Sequence, residues 1–172
     1  MSKKLKSQEI DVPYVHIESQ SWHENEDYDN PVTLADSKRA DLNDVVIPEG
    51  VIVIKFTYPL SGEFLFTFKS KKGFTRRKLV ELICFTYQKI YDEENGTSKV
   101  KEQSYAEASG GTSSLMNRVE TDGKYGIWGH CIGDLVLEGV DVERVPRLSL
   151  VVTKGIASKT KMVPVVHLSI GS

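Results

Sequence analysis

The chain has 172 residues, of which 40% are hydrophobic and 27% are charged, and its formal net charge is −2. This length and balance predict one folded domain with its own core and exclude a disordered chain. The slightly acidic charge excludes polyanion binding over the whole surface, so contact with nucleic acid would need a local basic patch.

The sequence has few residues or segments that indicate disulfide formation, secretion, membrane insertion or metal binding. Two cysteines, Cys84 and Cys131, are too few for a disulfide scaffold, so we expect reduced thiols in an intracellular protein, cytoplasmic or nuclear. The basic N-terminus has no apolar run after it, so no secretory signal is predicted there. The longest apolar run, residues 51–54, is too short to cross a bilayer, and no membrane partner is expected. The histidines are too scattered to predict a metal site, and no cofactor is expected.

The first 44 residues are predicted to form an N-terminal arm or extended segment, ahead of a single α+β domain at 45–172. Residues 12–17 have the composition of a short edge strand. Residues 19–44 are polar and acidic without periodicity, which indicates a long loop over the domain or a segment that docks on a neighbouring subunit. Two aromatic residues of this loop are candidate anchors: Trp22 and Tyr28.

A β-hairpin is the clearest strand prediction. Residues 51–58 are rich in β-branched and aromatic side chains, and residues 59–62 have turn chemistry. Residues 63–69 then alternate, which places three phenylalanines on one face of the second strand. These are Phe64, Phe66 and Phe68.

One long amphipathic helix follows. Thr75 is a candidate N-cap, and Phe74 and Leu79 have the spacing of a hydrophobic staple around it. Asn95 and Gly96 are predicted to end the helix. The apolar residues recur at the spacing of one helical face: Val80, Ile83, Cys84, Tyr87, Ile90 and Tyr91.

The C-terminal part returns to loops and strands. Residues 97–114 have loop chemistry, with a short element predicted at 115–119. Three further strands are predicted as an antiparallel meander: 135–142, 147–152 and 165–170. The fold prediction is therefore α+β, with an antiparallel sheet made of the hairpin and the meander and the helix packed on one face.

A basic cluster precedes and enters the helix. Its six cations are Lys69, Lys71, Lys72, Arg76, Arg77 and Lys78. The helix N-terminus already carries partial positive charge, and the C-terminal end carries Asp92, Glu93 and Glu94, so both ends have the sign that the helix dipole disfavours. This arrangement indicates that something outside the helix compensates the charges.

Several explanations of the basic cluster stay open. An anionic partner would fit, whether phosphate, nucleic acid or an acidic protein surface. Self-assembly would also fit, with the basic end of one subunit against the acidic end of another. The remaining explanations are a solvated charged surface and a nuclear-localisation signal.

A glycine-rich segment at 123–135 is the second candidate site. We interpret it as a structural turn, because glycine at this density is typical of tight turns and close backbone approach. The residues assigned to the turn are Gly126, Trp128, Gly129, His130, Gly133 and Asp134. Catalysis would need His130 to activate Cys131 or to pair with Asp134, but adjacent residues of an extended chain point to opposite faces. No catalytic residue is therefore predicted.

The same segment carries a resemblance. Residues 125–130, Tyr-Gly-Ile-Trp-Gly-His, followed by Gly133-Asp134-Leu135, resemble a pattern in an uncharacterised protein family of large DNA viruses and protists. The resemblance covers about half the chain together with the hairpin and helix at 51–91. It implies association with virions and no catalytic residues.

From these observations we consider three functions, in decreasing order of preference. The first is a non-enzymatic structural or interaction protein that forms homo-oligomers. The second is a nucleic-acid or phosphate-binding protein that acts through the basic cluster. The third is an enzyme that uses Cys131 and His130.

Overall fold

A computed structural model describes residues 7–18, 21–23, 32–33, 39–108, 116–150, 156–157, 159 and 161–172. The α+β prediction is confirmed. The strands are β1 (Ser7–Ile10), β2 (Tyr14–His16), β3 (Ser21–His23), β4 (Val32–Thr33), β5 (Val45–Ile47), β6 (Val51–Phe56), β7 (Phe64–Lys69), β8 (Phe74–Thr75), β9 (Val136–Pro146) and β10 (Met162–Gly171). The helices are α1 (Arg76–Thr97) and the short α2 (Tyr105–Ala108).

The main sheet is mixed rather than purely antiparallel. Within the described residues its strand order is β4-β3-β2-β9-β10-β6-β7, and β1 also pairs with β9. The predicted hairpin is present as β6 and β7, and β9 pairs antiparallel with β10. However, β10 runs parallel to β6, with Val165 opposite Val53. This pairing joins strands from distant parts of the chain, so no local turn signal could have predicted it.

The predicted strand at 147–152 is wrong over its described part. Residues 147–149 form a 3-10 turn, in which the Leu150 N–H donates to the Arg147 carbonyl at 3.1 Å. The turn follows directly on Pro146 at the end of β9, and Val151 and Val152 lie outside the described residues. The C-terminal part therefore contributes the β9–β10 pair to the sheet.

The N-terminal segment contributes to the sheet and the core. Strand β1 pairs with residues 140–143 of β9, and β2 pairs with residues 136–137. Four apolar side chains of this segment are buried: Ile10, Val12, Val15 and Ile17. The predicted loop at 19–44 contains β3, β4 and a 3-10 turn at Ala40–Asn43, while Tyr28 lies outside the described residues. The division into an arm and a domain at residue 44 stays a prediction.

Helix α1 packs its apolar face on one side of the sheet. The Thr75 hydroxyl accepts a hydrogen bond from the Lys78 N–H at 3.2 Å, as the N-cap prediction requires. The helix continues through Gly96 to Thr97, slightly beyond the predicted end. The predicted apolar face is buried, and Tyr87 meets Phe56 of β6 edge to face at 4.9 Å. No helix in the described ranges is long and apolar enough to cross a membrane.

Candidate functional site

The six cations of the basic cluster differ in how exposed they are. Lys69 ends β7, and Lys71 and Lys72 occupy the turn that follows; all three are exposed. Arg76, Arg77 and Lys78 form the first turn of α1 and are partly buried. The cluster therefore divides into an exposed lysine group and a group that contacts other parts of the chain.

Arg76 joins the start of α1 to the N-terminal segment. Its Nε donates to the Asp11 carbonyl at 2.7 Å and its Nη1 donates to the Asp41 carbonyl at 2.8 Å. Nη1 also lies 3.1 Å from the Asp41 carboxylate, which Arg39 contacts as well. The hydrogen bond from Arg39, together with both positive charges, lowers the pKa of Asp41. Arg76 thus has an intramolecular structural role.

Lys78 also has local partners. Its Nζ donates to the Ser70 hydroxyl at 3.0 Å and lies 5.6 Å from the centre of the Phe74 ring. These contacts tie the first turn of α1 to the preceding loop. The side chains of the cluster that remain for an outside anion are therefore chiefly the exposed lysines.

The acidic end of α1 also finds its partners within the chain. The fully buried Glu94 carboxylate accepts the N–H groups of Gly123, Tyr125 and Gly126 at 2.8, 2.7 and 3.2 Å. Burial raises the pKa of Glu94, but the hydrogen bonds from Thr121 and these N–H groups outweigh burial, and the net pKa is lowered. Glu94 thus clamps the glycine-rich segment to the end of α1.

Glu93 makes a second contact with the same segment. It accepts hydrogen bonds from Lys124 Nζ and from the Tyr125 hydroxyl, both at 2.6 Å. These two hydrogen bonds lower the pKa of Glu93 to about 2. The unfavourable charges at both ends of α1 are thus partly compensated by other segments of the same chain, which weakens the case for an anionic partner.

The glycine-rich segment forms a tight turn against the β6–β7 hairpin. Gly126 and Gly129 have positive φ values of 62° and 75°, which L side chains rarely adopt. The Trp128 N–H donates to the Pro59 carbonyl at 3.1 Å, and its ring packs edge-on against Tyr58. These contacts are those of a turn that supports the end of the hairpin.

The 3-10 turn at Ile132–Asp134 continues this arrangement. The Asp134 carboxylate accepts the Cys131 N–H at 2.8 Å, so this carboxylate caps the backbone. Gly133 lies so close to Glu18 that a Cβ there would meet Glu18 Oε2 at 2.6 Å. Asp134 therefore stabilises the turn by capping its backbone, and Gly133 allows the chain to pass close to Glu18.

The structure does not assemble a thiol–imidazole pair. The Nε2 atom of His130 lies 3.3 Å from the Ser172 hydroxyl, and within the described chain no hydrogen bond joins His130 to Cys131 or Asp134. Burial, then the charges of Asp134 and Glu102, raise the pKa of the Cys131 thiol. A raised pKa lowers the thiolate fraction, so this geometry does not provide an activated nucleophile.

A buried arginine is a feature that sequence reasoning missed. Arg118 has a fully buried side chain, whose Nη2 donates to Asn95 Oδ1 at 3.0 Å. Its Nη1 forms an ion pair with Glu102 at 3.1 Å, and its guanidinium lies 5.1 Å from the centre of the Tyr91 ring. Because its partners lie in other segments, no local pattern in the sequence could have indicated this burial.

One open pocket of 240 Å³ lies on the sheet face opposite α1. Its lining includes a lysine, a histidine and two carboxylates: Lys55, His167, Glu63 and Glu143. Lys55 forms an ion pair with Glu63, and His167 lies 3.7 Å from Glu143. Lys55 and Glu63 thus satisfy each other, whereas the buried Nε2 of His167 has no hydrogen-bond partner among the described residues. The described residues also contain no group of three side chains that could hold a metal ion.

The sheet ends at strand β7. Within the described residues, β7 pairs with β6 alone, and its other edge has no strand beside it. Its three phenylalanines pack against the core but are only partly buried, unlike Ile52 and Ile54 of β6, which have no exposed surface. This edge combines unpaired backbone groups with incompletely covered aromatic side chains.

No family model, curated protein or solved structure matches the chain. The resemblance of residues 125–135 to proteins of large DNA viruses and protists therefore stays a prediction.

Proposed function

We propose that this chain is a non-enzymatic structural protein that works by associating with further copies of itself. The observation that carries the proposal is the outer edge of β7, which no strand of the described residues pairs with and which carries three partly buried phenylalanines. An uncovered strand edge that also carries apolar side chains promotes pairing with another chain.

The polar side chains near the glycine-rich turn support the non-enzymatic part of this proposal. Glu94, Arg118 and Asp134 each have structural partners within the chain. The pKa of Cys131 is shifted in the direction that makes the thiol less reactive. These residues therefore stabilise the turn and the end of α1.

Self-association is favoured over nucleic-acid binding for an electrostatic reason. Arg76 and Lys78 of the basic cluster are engaged by Asp41 and Ser70. Three lysines of the cluster are exposed, its other three cations are partly buried, and the chain carries a net charge of −2. A phosphate-binding surface normally needs more cations than this on one face.

Sedimentation velocity at low and high salt tests the proposal. The expected result is a concentration-dependent dimer or larger oligomer that persists at high salt, because the apolar part of an interface is not screened. A monomer at every protein concentration and both salt concentrations would overturn it.

A further inference from the structure

The hydrogen-bond pattern of the hairpin fixes which backbone groups of β7 point outward. The Ser70 N–H donates to the Gly50 carbonyl at 2.9 Å, and the register continues with Lys69 opposite Val51 through to Phe64 opposite Phe56. In an antiparallel pair, hydrogen-bonded and non-hydrogen-bonded residues alternate. The even-numbered residues of β7 therefore bond to β6, and the odd-numbered residues present their N–H and C=O groups to the open edge. These are Leu65, Thr67 and Lys69.

The side chains of β7 add an apolar face to this edge. Phe64, Phe66 and Phe68 project toward the core that α1 covers, and all three remain partly exposed. A second strand beside β7 would cover their remaining surface, because cross-strand aromatic side chains pack directly against each other. The edge therefore gains both hydrogen bonds and apolar burial from an added strand.

The charges that flank β7 fit an antiparallel copy of the same strand. Glu63 lies just before the strand and Lys69 is its last residue. Lys69 forms no ion pair within the described part of one copy, whereas Glu63 pairs with Lys55 of its own copy but keeps a largely exposed carboxylate that a second cation could reach. A two-fold axis at Phe66 would place Glu63 of each copy opposite Lys69 of the other, on one face of the sheet. Leu65 would then lie opposite Thr67.

Neighbouring registers are less complementary. A two-fold axis at Thr67 would place Glu63 opposite Lys71, which lies in the turn beyond the end of β7. Lys69 would then face the apolar Leu65. The axis at Phe66 keeps both charge pairs at the ends of the strand, where they enclose the apolar centre.

We infer that two copies of this chain join their sheets by antiparallel pairing of β7 with β7, centred on Phe66, with reciprocal Glu63–Lys69 contacts. This inference rests on the proposed self-association and names its interface. In a closed two-fold pairing the β7 edge of each copy pairs with that of the other. Neither copy then has an exposed β7 edge for further pairing.

Sedimentation velocity of charge variants tests the register. Lys69→Glu places two carboxylates opposite each other at both ends of the interface and raises the Kd about tenfold. Glu63→Lys combined with Lys69→Glu restores opposite charges across the interface and lowers the Kd again, although the recovery is incomplete because Glu63→Lys also removes the ion pair with Lys55. Lys71→Glu is the matched control, because it makes the same charge change outside the predicted interface and leaves the Kd unchanged.

A backbone variant tests the edge itself. The Thr67 N–H points to the open edge, so Thr67→Pro removes an interface donor while it leaves the ladder between β6 and β7 intact. The expected Kd increase is about a hundredfold or more, since both copies lose the donor and the proline rings obstruct pairing. Circular dichroism checks that the variant is folded, and the charge variants decide the outcome if it is not.

The outcomes separate the interface from the broader proposal. A wild-type dimer that Lys69→Glu and Thr67→Pro leave unchanged would overturn this interface and leave self-association standing. A larger effect of Lys71→Glu than of Lys69→Glu would overturn the register. A wild-type monomer at all concentrations would overturn the proposed function, and this interface with it.

Discussion

The Glu94 carboxylate accepts the backbone N–H of Tyr125 at 2.7 Å, although 31 residues separate them in the chain. Gly123 and Gly126 donate to the same carboxylate. A carboxylate at a helix C-terminus is normally unfavourable. Here the N–H groups of a tight turn compensate it, so the acidic end of α1 is the anchor of the glycine-rich segment.

Glu94→Gln should destabilise the fold substantially. The amide has only one acceptor oxygen and brings an NH2 group toward backbone donors, so we expect a loss of roughly 2–3 kcal/mol in the free energy of unfolding. Glu93→Gln is the matched control on the adjacent, partly exposed residue, with an expected loss below about 1 kcal/mol. Urea denaturation of both variants measures the difference. Equal losses would contradict the clamp.

The two carboxylates also predict how stability depends on pH. The pKa of Glu93 is lowered from its ordinary 4.5 to about 2, and that of Glu94 is lowered as well. The stabilising contribution of Glu93 is complete above pH 4.5 and is lost as the pH falls toward 2, and that of Glu94 is lost in the same direction as the pH falls. The melting temperature of wild type should therefore fall over this window. The Glu93→Gln variant should show a shallower fall, and an identical slope would count against the assignment.

Gly126 should not tolerate a side chain. Its φ is +62°, and a Cβ there would lie 2.8 Å from the Cβ of Ser61. We expect Gly126→Ala to cost about 2 kcal/mol in the free energy of unfolding. Gly96 is the contrasting position, because it is helical and exposed with nothing near its missing Cβ. Gly96→Ala should stabilise the protein by about 0.5–1 kcal/mol. Thermal denaturation of both variants provides the comparison, and a neutral Gly126→Ala would refute the turn geometry.

Both thiols should react slowly in the folded protein. Burial raises the pKa of Cys84 to about 12, and burial with neighbouring carboxylates raises that of Cys131. We expect iodoacetamide at pH 7 to label each of them more slowly than a free cysteine, with Cys84 the slower. Mass spectrometry of timed samples, with unfolded protein as the control, measures both rates. Labelling of Cys131 faster than the unfolded control would revive the enzyme hypothesis.

Local patterns in the sequence predicted the local structure. The hairpin, the N-cap at Thr75 and the buried face of α1 depend on turn chemistry and periodicity, which neighbouring residues encode. The parallel pairing of β10 with β6 and the burial of Arg118 depend on contacts between distant segments. The charges of α1 were visible in the sequence, but their partners Asp41 and Lys124 were not.

Hydrogen exchange of the β7 amides tests the central claim most directly. The amides of Phe66 and Phe68 bond to β6 and should be protected at every protein concentration. The amides of Leu65, Thr67 and Lys69 point to the open edge, so their protection should rise with protein concentration as β7 pairs with a second copy. Fast exchange of these three amides at concentrations where the protein is dimeric would contradict the account.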